Sequence, residues 1–121
     1  TIVFITHDFD EALRLADRIA IMKDGAVEQC DTPDQIVLHP ATEYVRKFTE
    51  EIDKARVVHA GVLAKAGVQG QGDPVAAGAS VKELARLLVH DTREVIPVES
   101  DGAIIGGMNR QDALTVLLEA N

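Results

Sequence analysis

Side chains able to do chemistry are few in this chain and widely spread. His7 and Asp8 stand together at the end of the apolar run Ile2-Val3-Phe4-Ile5. A neutral imidazole can donate one hydrogen bond while its other nitrogen accepts one. Asp8, Asp10 and Glu11 follow as a carboxylate cluster. In the first turn of a helix such a cluster complements the positive end of the helix dipole and needs no catalytic role. Cys30 has no basic neighbour in sequence to lower its pKa, so it reads as a half-buried structural thiol rather than a nucleophile. His39, His59 and His90 are isolated, with no Cys/His cluster at zinc spacing, and are assigned no function. The stretch "GVQGQGD", residues 67–73, lacks the Gly-Lys-Ser/Thr ending of a phosphate loop, and no helix follows it directly. Asn109 and Asp112 are three residues apart at the start of the last expected helix, where both residue types are favourable as plain capping groups.

These groups must be positioned by a chain of 121 residues, enough for one ordinary domain or two small units. Its 46% apolar content suits a globular protein. Twelve Lys and Arg against 20 Asp and Glu leave a net charge of −8, which repels phosphate backbones and argues against nucleic-acid binding. A single cysteine makes no internal disulfide and fits a reducing setting. No apolar run approaches membrane-spanning length and no signal-peptide pattern opens the chain, so a membrane role is expected to run through a partner.

The continuous apolar run at residues 2–5 predicts a strand covered on both faces, as in a parallel sheet. Such a strand needs neighbours, so the chain is expected to be the tail of something larger. "DFDEALRLADR" predicts a helix with Phe9, Ala12, Leu13 and Ala16 on one stripe. "RIAIMKDGAVEQC" predicts a hairpin turning at Asp24-Gly25. "TPDQIVLHP" predicts a short helix with Thr32 as N-cap, Pro33 at the first position and Gln35 completing a capping box. "ATEYVRKFTEEIDKARV" predicts one amphipathic helix, its Tyr44, Phe48 and Ile52 stripe packing into a core. Residues 60–79 hold five of the nine glycines and predict a flexible connection. From Ser80 the pattern is helix, strand, turn, strand, helix. A Ser80–Glu83 capping box opens it, and Ala113, Leu114, Leu117 and Leu118 are expected to pack on its sheet.

The words "ITHDFDEA", "ADRIAIMKDG", "TPDQI" and "HPATEYVRKF", in this order and at these gaps, resemble the end of an ABC-type ATPase domain. The likeness is to the ATP-binding subunits of importers for glycine betaine, proline or choline. "VIPVESDGAIIGGMNRQDAL" resembles a single CBS motif, named after cystathionine β-synthase. The resemblance implies an α/β fold: residues 1–56 the C-terminal part of an ABC ATPase domain, built as strand, helix, hairpin and helices. Residues 57–79 then form a Gly-rich linker or a degenerate CBS half, and residues 80–121 a CBS-like α-β-β-α regulatory unit.

The resemblance makes His7 the switch histidine, donating to the γ-phosphate of ATP. Ligands on α/β sheets sit beyond the carboxyl ends of strands, and phosphoryl transfer depends on placed donors. It implies ATP with magnesium in the parent protein, and an adenine nucleotide as a ligand of the CBS-like unit. There Asp112 would hold a ribose hydroxyl and Asn109 approach a phosphate, with plain capping the competing reading. It also implies a second ATPase subunit, a transmembrane permease and, indirectly, a substrate-binding protein. The location implied is peripheral, on the cytoplasmic face of the inner membrane. The phosphate loop, the LSGGQ-type signature, the magnesium aspartate and the general-base carboxylate are not legible in the chain, so no ATP hydrolysis is expected of it alone. Glycine is usual where Asp31 stands, so that loop is expected to be locally altered. One small unit leaves sheet exposed, so self-association through residues 80–120 is expected. Two other readings stand beside the osmoprotectant importer: a non-catalytic CBS-type nucleotide-sensing module, and the ATPase of an amino-acid importer.

Overall fold

Two Asp-Gly pairs turn the chain in the same way. Asp24 and Gly25 have φ of 53° and 79°, and Asp101 and Gly102 have 52° and 82°. Two successive left-handed residues make the tight turn whose twist matches that of paired strands. Each pair closes a hairpin, β1 (Ile19–Lys23) with β2 (Ala26–Asp31) and β5 (Val95–Ser100) with β6 (Ala103–Asn109). The computed structural model describes residues 5–6 and 8–119. His7 and residues 1–4, most of the expected first strand, lie outside the described residues. The chain divides after Ile52 into two units.

In the first unit, α1 (Phe9–Leu15) is capped by Asp8, whose Oδ1 accepts from the Glu11 amide at 3.1 Å. Its Ala12 and Leu13 are buried, as are Ile19 and Ile21 of β1. The hairpin register shifts between Ile21 and Met22, which leaves Glu28 unpaired in the ladder. A bulge of this kind turns a side chain away from its strand; here Glu28 reaches the Thr42 hydroxyl at 3.5 Å. Asp31 ends β2, and positive φ at non-glycine residues is confined, among the described residues, to Asp24 and Asp101. Asp31 thus does not take the left-handed conformation that a glycine there would permit. Instead the Asp31 carboxylate accepts from the Thr32 amide at 3.0 Å.

Helix α2 (Pro33–Leu38) starts as expected, with Thr32 Oγ1 accepting from the Gln35 amide at 3.4 Å. Only half of the capping box is made, because Asp31 already occupies the Thr32 amide. Ile36 and Val37 on α2 and Val45 on α3 (Glu43–Thr49) are the deepest side chains of this unit. Burial of each contributes about 1.5–3 kcal/mol. Gln29 clips the link between α2 and α3, donating to the His39 carbonyl at 3.1 Å and accepting from the Ala41 amide at 2.8 Å. Phe48 stacks edge-on against Phe9 and Tyr44 with centroids 5.6 and 5.0 Å away.

The single long helix expected over residues 41–57 is two helices. α3 stops at Thr49, whose hydroxyl bonds back to the Arg46 carbonyl at 2.8 Å. Such a bond competes with helix continuation. α4 (Lys54–Val57) begins the second unit, which also holds α5 (Ala60–Leu63), β3 (Ala64–Lys65) and β4 (Val75–Ala76). α6 (Ala85–His90) and α7 (Arg110–Glu119) complete it. The sheet order is β3-β6-β5-β4, antiparallel except for the parallel pair β4–β5. Residues 57–79 thus supply both edge strands as well as α5. α7 packs on α4, α5, α6 and β6.

Ala55, Val58, Ala60, Val81, Leu88, Ile96, Val98, Met108 and Ala113 are the fully buried residues of this unit's core. Leu118, expected on the sheet, is 79% exposed; Val116 is buried in its stead. The glycine pair of β6 allows close cover on the sheet. A Cβ at Gly106 would lie 2.5 Å from the Lys65 carbonyl oxygen, and one at Gly107 would lie 2.5 Å from Val95 Cγ1.

Candidate functional site

Where β6 runs into α7 a shallow cleft of about 260 Å³ opens, lined by Thr92, Arg93, Glu94, Asn109, Arg110 and Gln111. The sheet sets this arrangement. Val95 pairs with Asn109, so the turn before β5 and the start of α7 lie side by side. The Arg110 amide donates to the Glu94 carbonyl at 2.9 Å and closes the junction.

Both arginines at the cleft have structural commitments. Arg110 Nε donates to the Leu88 carbonyl at 2.8 Å and Nη2 to that of Val89 at 3.4 Å. A cation there satisfies carbonyls left open at the end of α6. Arg93 is held by Asp91: Nε lies 3.0 Å from both carboxylate oxygens and Nη2 lies 2.6 Å from Oδ2. The Arg93 guanidinium and amide, both donating to Asp91, pull its pKa down to about 2. The same pairing pushes the Arg93 pKa up.

Of the residues singled out from sequence, the structure brings Asn109 into the cleft and leaves Asp112 outside its lining. Asn109 Oδ1 accepts from the Asp112 amide at 3.1 Å, the N-cap bond of α7. The Asp112 carboxylate is exposed. Thr92, Arg93 and Gln111 were not singled out; the Asp91-x-Arg93 spacing was the available signal. Their hydroxyl, guanidinium and amide groups, with the Asn109 amide nitrogen, make a donor set suited to a ligand rich in acceptor oxygens. Glu94 opposes a second negative charge there.

In the first unit Cys30 is exposed rather than half-buried. The hairpin brings Arg18 beside it, Nη2 3.9 Å from Sγ and 3.3 Å from the Cys30 carbonyl. That cation is distant in sequence and therefore not visible there. Among the described residues no group of three or more His, Cys, Asp or Glu is placed to hold a metal ion. No described helix is long and apolar enough to cross a membrane.

Comparison with known proteins defines the class. The chain is homologous to the C-terminal portion of ATP-binding subunits of ABC importers of the betaine, carnitine and trimethylamine N-oxide type. Across 121 residues it is 75% identical to the trimethylamine N-oxide transport system ATP-binding protein TmoW of Ruegeria pomeroyi, covering 100% of this chain and 36% of that protein. It is 48% identical over 111 residues to TmoW of Pelagibacter ubique, covering 90% of this chain and 33% of that protein. It is 37% identical over 122 aligned positions to the glycine betaine/proline betaine transport system ATP-binding protein ProV of Escherichia coli, covering 98% of this chain and 30% of that protein. The chain thus spans about a third of the length of the curated relatives it matches. No family model and no solved structure matches it.

Proposed function

We propose that the chain is the C-terminal part of the ATP-binding subunit of an ABC importer whose cargo is trimethylamine N-oxide or a closely related methylated solute. The observation that carries this is the 75% identity to a trimethylamine N-oxide system protein, which runs through both units without interruption. In this reading ATP with magnesium binds between two copies of the subunit, and His7 donates to the γ-phosphate. The subunit sits on the cytoplasmic face of the inner membrane against a permease, which a substrate-binding protein supplies. The unit from Asp53 onward is a CBS-like regulatory module whose cleft takes a polar ligand such as an adenine nucleotide.

The test is uptake and ATP hydrolysis by the reconstituted importer built with the full subunit. Uptake of trimethylamine N-oxide in preference to amino acids is expected. His7→Ala is expected to lower turnover about 100-fold or more, as loss of one placed donor to a developing charge does. Uptake of amino acids only would defeat the cargo reading, and full turnover of His7→Ala would defeat the switch role.

A second reading keeps the nucleotide-sensing module without catalysis. The donor set of Thr92, Arg93, Asn109 and Gln111 favours it. It expects adenine-nucleotide binding that survives His7→Ala and falls in Thr92→Ala and Gln111→Ala; absence of any such binding to the second unit removes it.

A further inference from the structure

Residues 67–73 lie against the second unit's sheet with almost nothing buried; of the seven, only Gly70 is not exposed. Apolar burial therefore contributes little to their placement. One backbone bond of their own, Val68 amide to Lys65 carbonyl at 3.2 Å, holds the start of the segment. Two contacts hold the rest.

The first is at Gly70, where a Cβ would lie 2.5 Å from the Pro97 nitrogen. Proline has no N–H, so a backbone can press on that nitrogen without orphaning a donor. The second is Arg93. Its Nη1 donates to the Gln71 carbonyl at 2.6 Å and to the Asp73 carbonyl at 2.8 Å. Gly72, between them, has φ of +83°, and a Cβ there would lie 2.9 Å from Nη1. From the other side, Asp91 aims the guanidinium through both of its carboxylate oxygens. The segment also walls a second cleft of about 300 Å³ with Pro97 and Ile104. Arg93 itself lines the polar cleft by α7.

We propose that residues 67–73 are a strap and Arg93 is its latch, one guanidinium fastening the strap over the Pro97 cleft while forming a wall of the polar cleft. Opening the strap widens the Pro97 cleft and frees Arg93 on the polar side, so the two clefts change together. A planar fork is required, because one lysine ammonium cannot meet Asp91 and both carbonyls at once. Segments with few buried contacts open at low free energy, so a single latch decides the state of this one.

Amide hydrogen exchange by mass spectrometry on the full-length protein tests this. Two peptides report: one containing Ala77, whose amide bonds the Glu99 carbonyl beyond the strap, and one containing the Arg93 amide, which bonds Asp91. Arg93→Lys is expected to raise exchange in the Ala77 peptide about tenfold or more, the effect of losing a charge-assisted bond. Gly72→Ala is expected to raise exchange in both peptides. Gly67→Ala has the same φ of +83° but open space around its Cβ, and is expected to leave the Arg93 peptide unchanged. Wild-type exchange of the Ala77 peptide in Arg93→Lys overturns the latch. Equal effects of Gly67→Ala and Gly72→Ala on the Arg93 peptide overturn the coupling, and that readout stands even where Arg93→Lys fails to fold.

Discussion

Ser80 and Glu83 cap each other. The Ser80 amide donates to Glu83 Oε1 at 3.0 Å, and the Glu83 amide donates to Ser80 Oγ at 3.1 Å. The pair opens the turn that leads into α6 and sits beside Val81, a fully buried core residue. Ser80→Ala is expected to cost about 0.5–2 kcal/mol, read from urea unfolding of the second unit. A loss below a few tenths would show that the turn is held by Val81 burial and backbone bonds such as that from the Val81 amide to the Val58 carbonyl, without help from the box.

Bonds from the Ser80 amide and then its hydroxyl hold the Glu83 pKa below its usual 4.5. The unfolded chain then binds more protons than the folded one as pH falls through that region. Stability from Glu83 is thus complete above pH 4.5 and lost below it. Glu83→Gln should flatten that part of the acid-unfolding profile.

Asp91 carries the same sign further into acid. Its pKa falls from 3.8 to about 2, so its contribution is intact above pH 3.8 and disappears as pH drops towards about 2. Asp91→Asn is expected to remove this acid slope and to leave a constant deficit at neutral pH. A variant whose stability tracks wild type from pH 7 to pH 2 would contradict the pairing with Arg93.

Gly107→Ala should destabilise the second unit by about 1–3 kcal/mol through overpacking against Val95. Val95→Ala in the same chain should recover only part of the loss, because the nearest obstructing atom is a side-chain methyl while the Val68 carbonyl oxygen, 2.9 Å from the added Cβ, stays in place. Gly106→Ala meets the Lys65 backbone oxygen, and no single side-chain change should rescue it. Chemical denaturation of the three variants separates these outcomes.

Ile36 and Ile96 are each fully buried, one in each unit. Truncation of either to alanine should cost about 2–5 kcal/mol. Region-resolved hydrogen exchange should quicken only in the unit that carries the change. Loss of protection throughout the chain from either substitution would refute the division at Ile52.

Both hairpins were legible in the sequence because their turns are local chemistry: Asp-Gly supplies the two positive φ values whatever surrounds it. The caps at Thr32, Ser80 and Asn109 were legible for the same reason. The break after Thr49 was not. The apolar period runs on through Ile52 and Ala55, while Asp53 is drawn to Lys82 at 3.3 Å from far along the chain. The edge strands in residues 57–79 are two residues each, too short to show a period, and exist through their pairing with β5 and β6. At the candidate site the cap was visible and Arg93 was not, since its three acceptors are Asp91 nearby and Gln71 and Asp73 some twenty residues before it.

The order of strands in the second unit, β3-β6-β5-β4, also fixes a schedule for synthesis. The first unit's hairpin can zip as soon as Asp31 clears the ribosome, because both of its strands are adjacent in sequence. β3 cannot pair until Met108 arrives, and β4 must wait for Val98. Contacts between distant residues form slowly and leave edges open meanwhile. During translation the stretch from Ala64 to Ala76 therefore stays without its strand partners until nearly the whole second unit has been made.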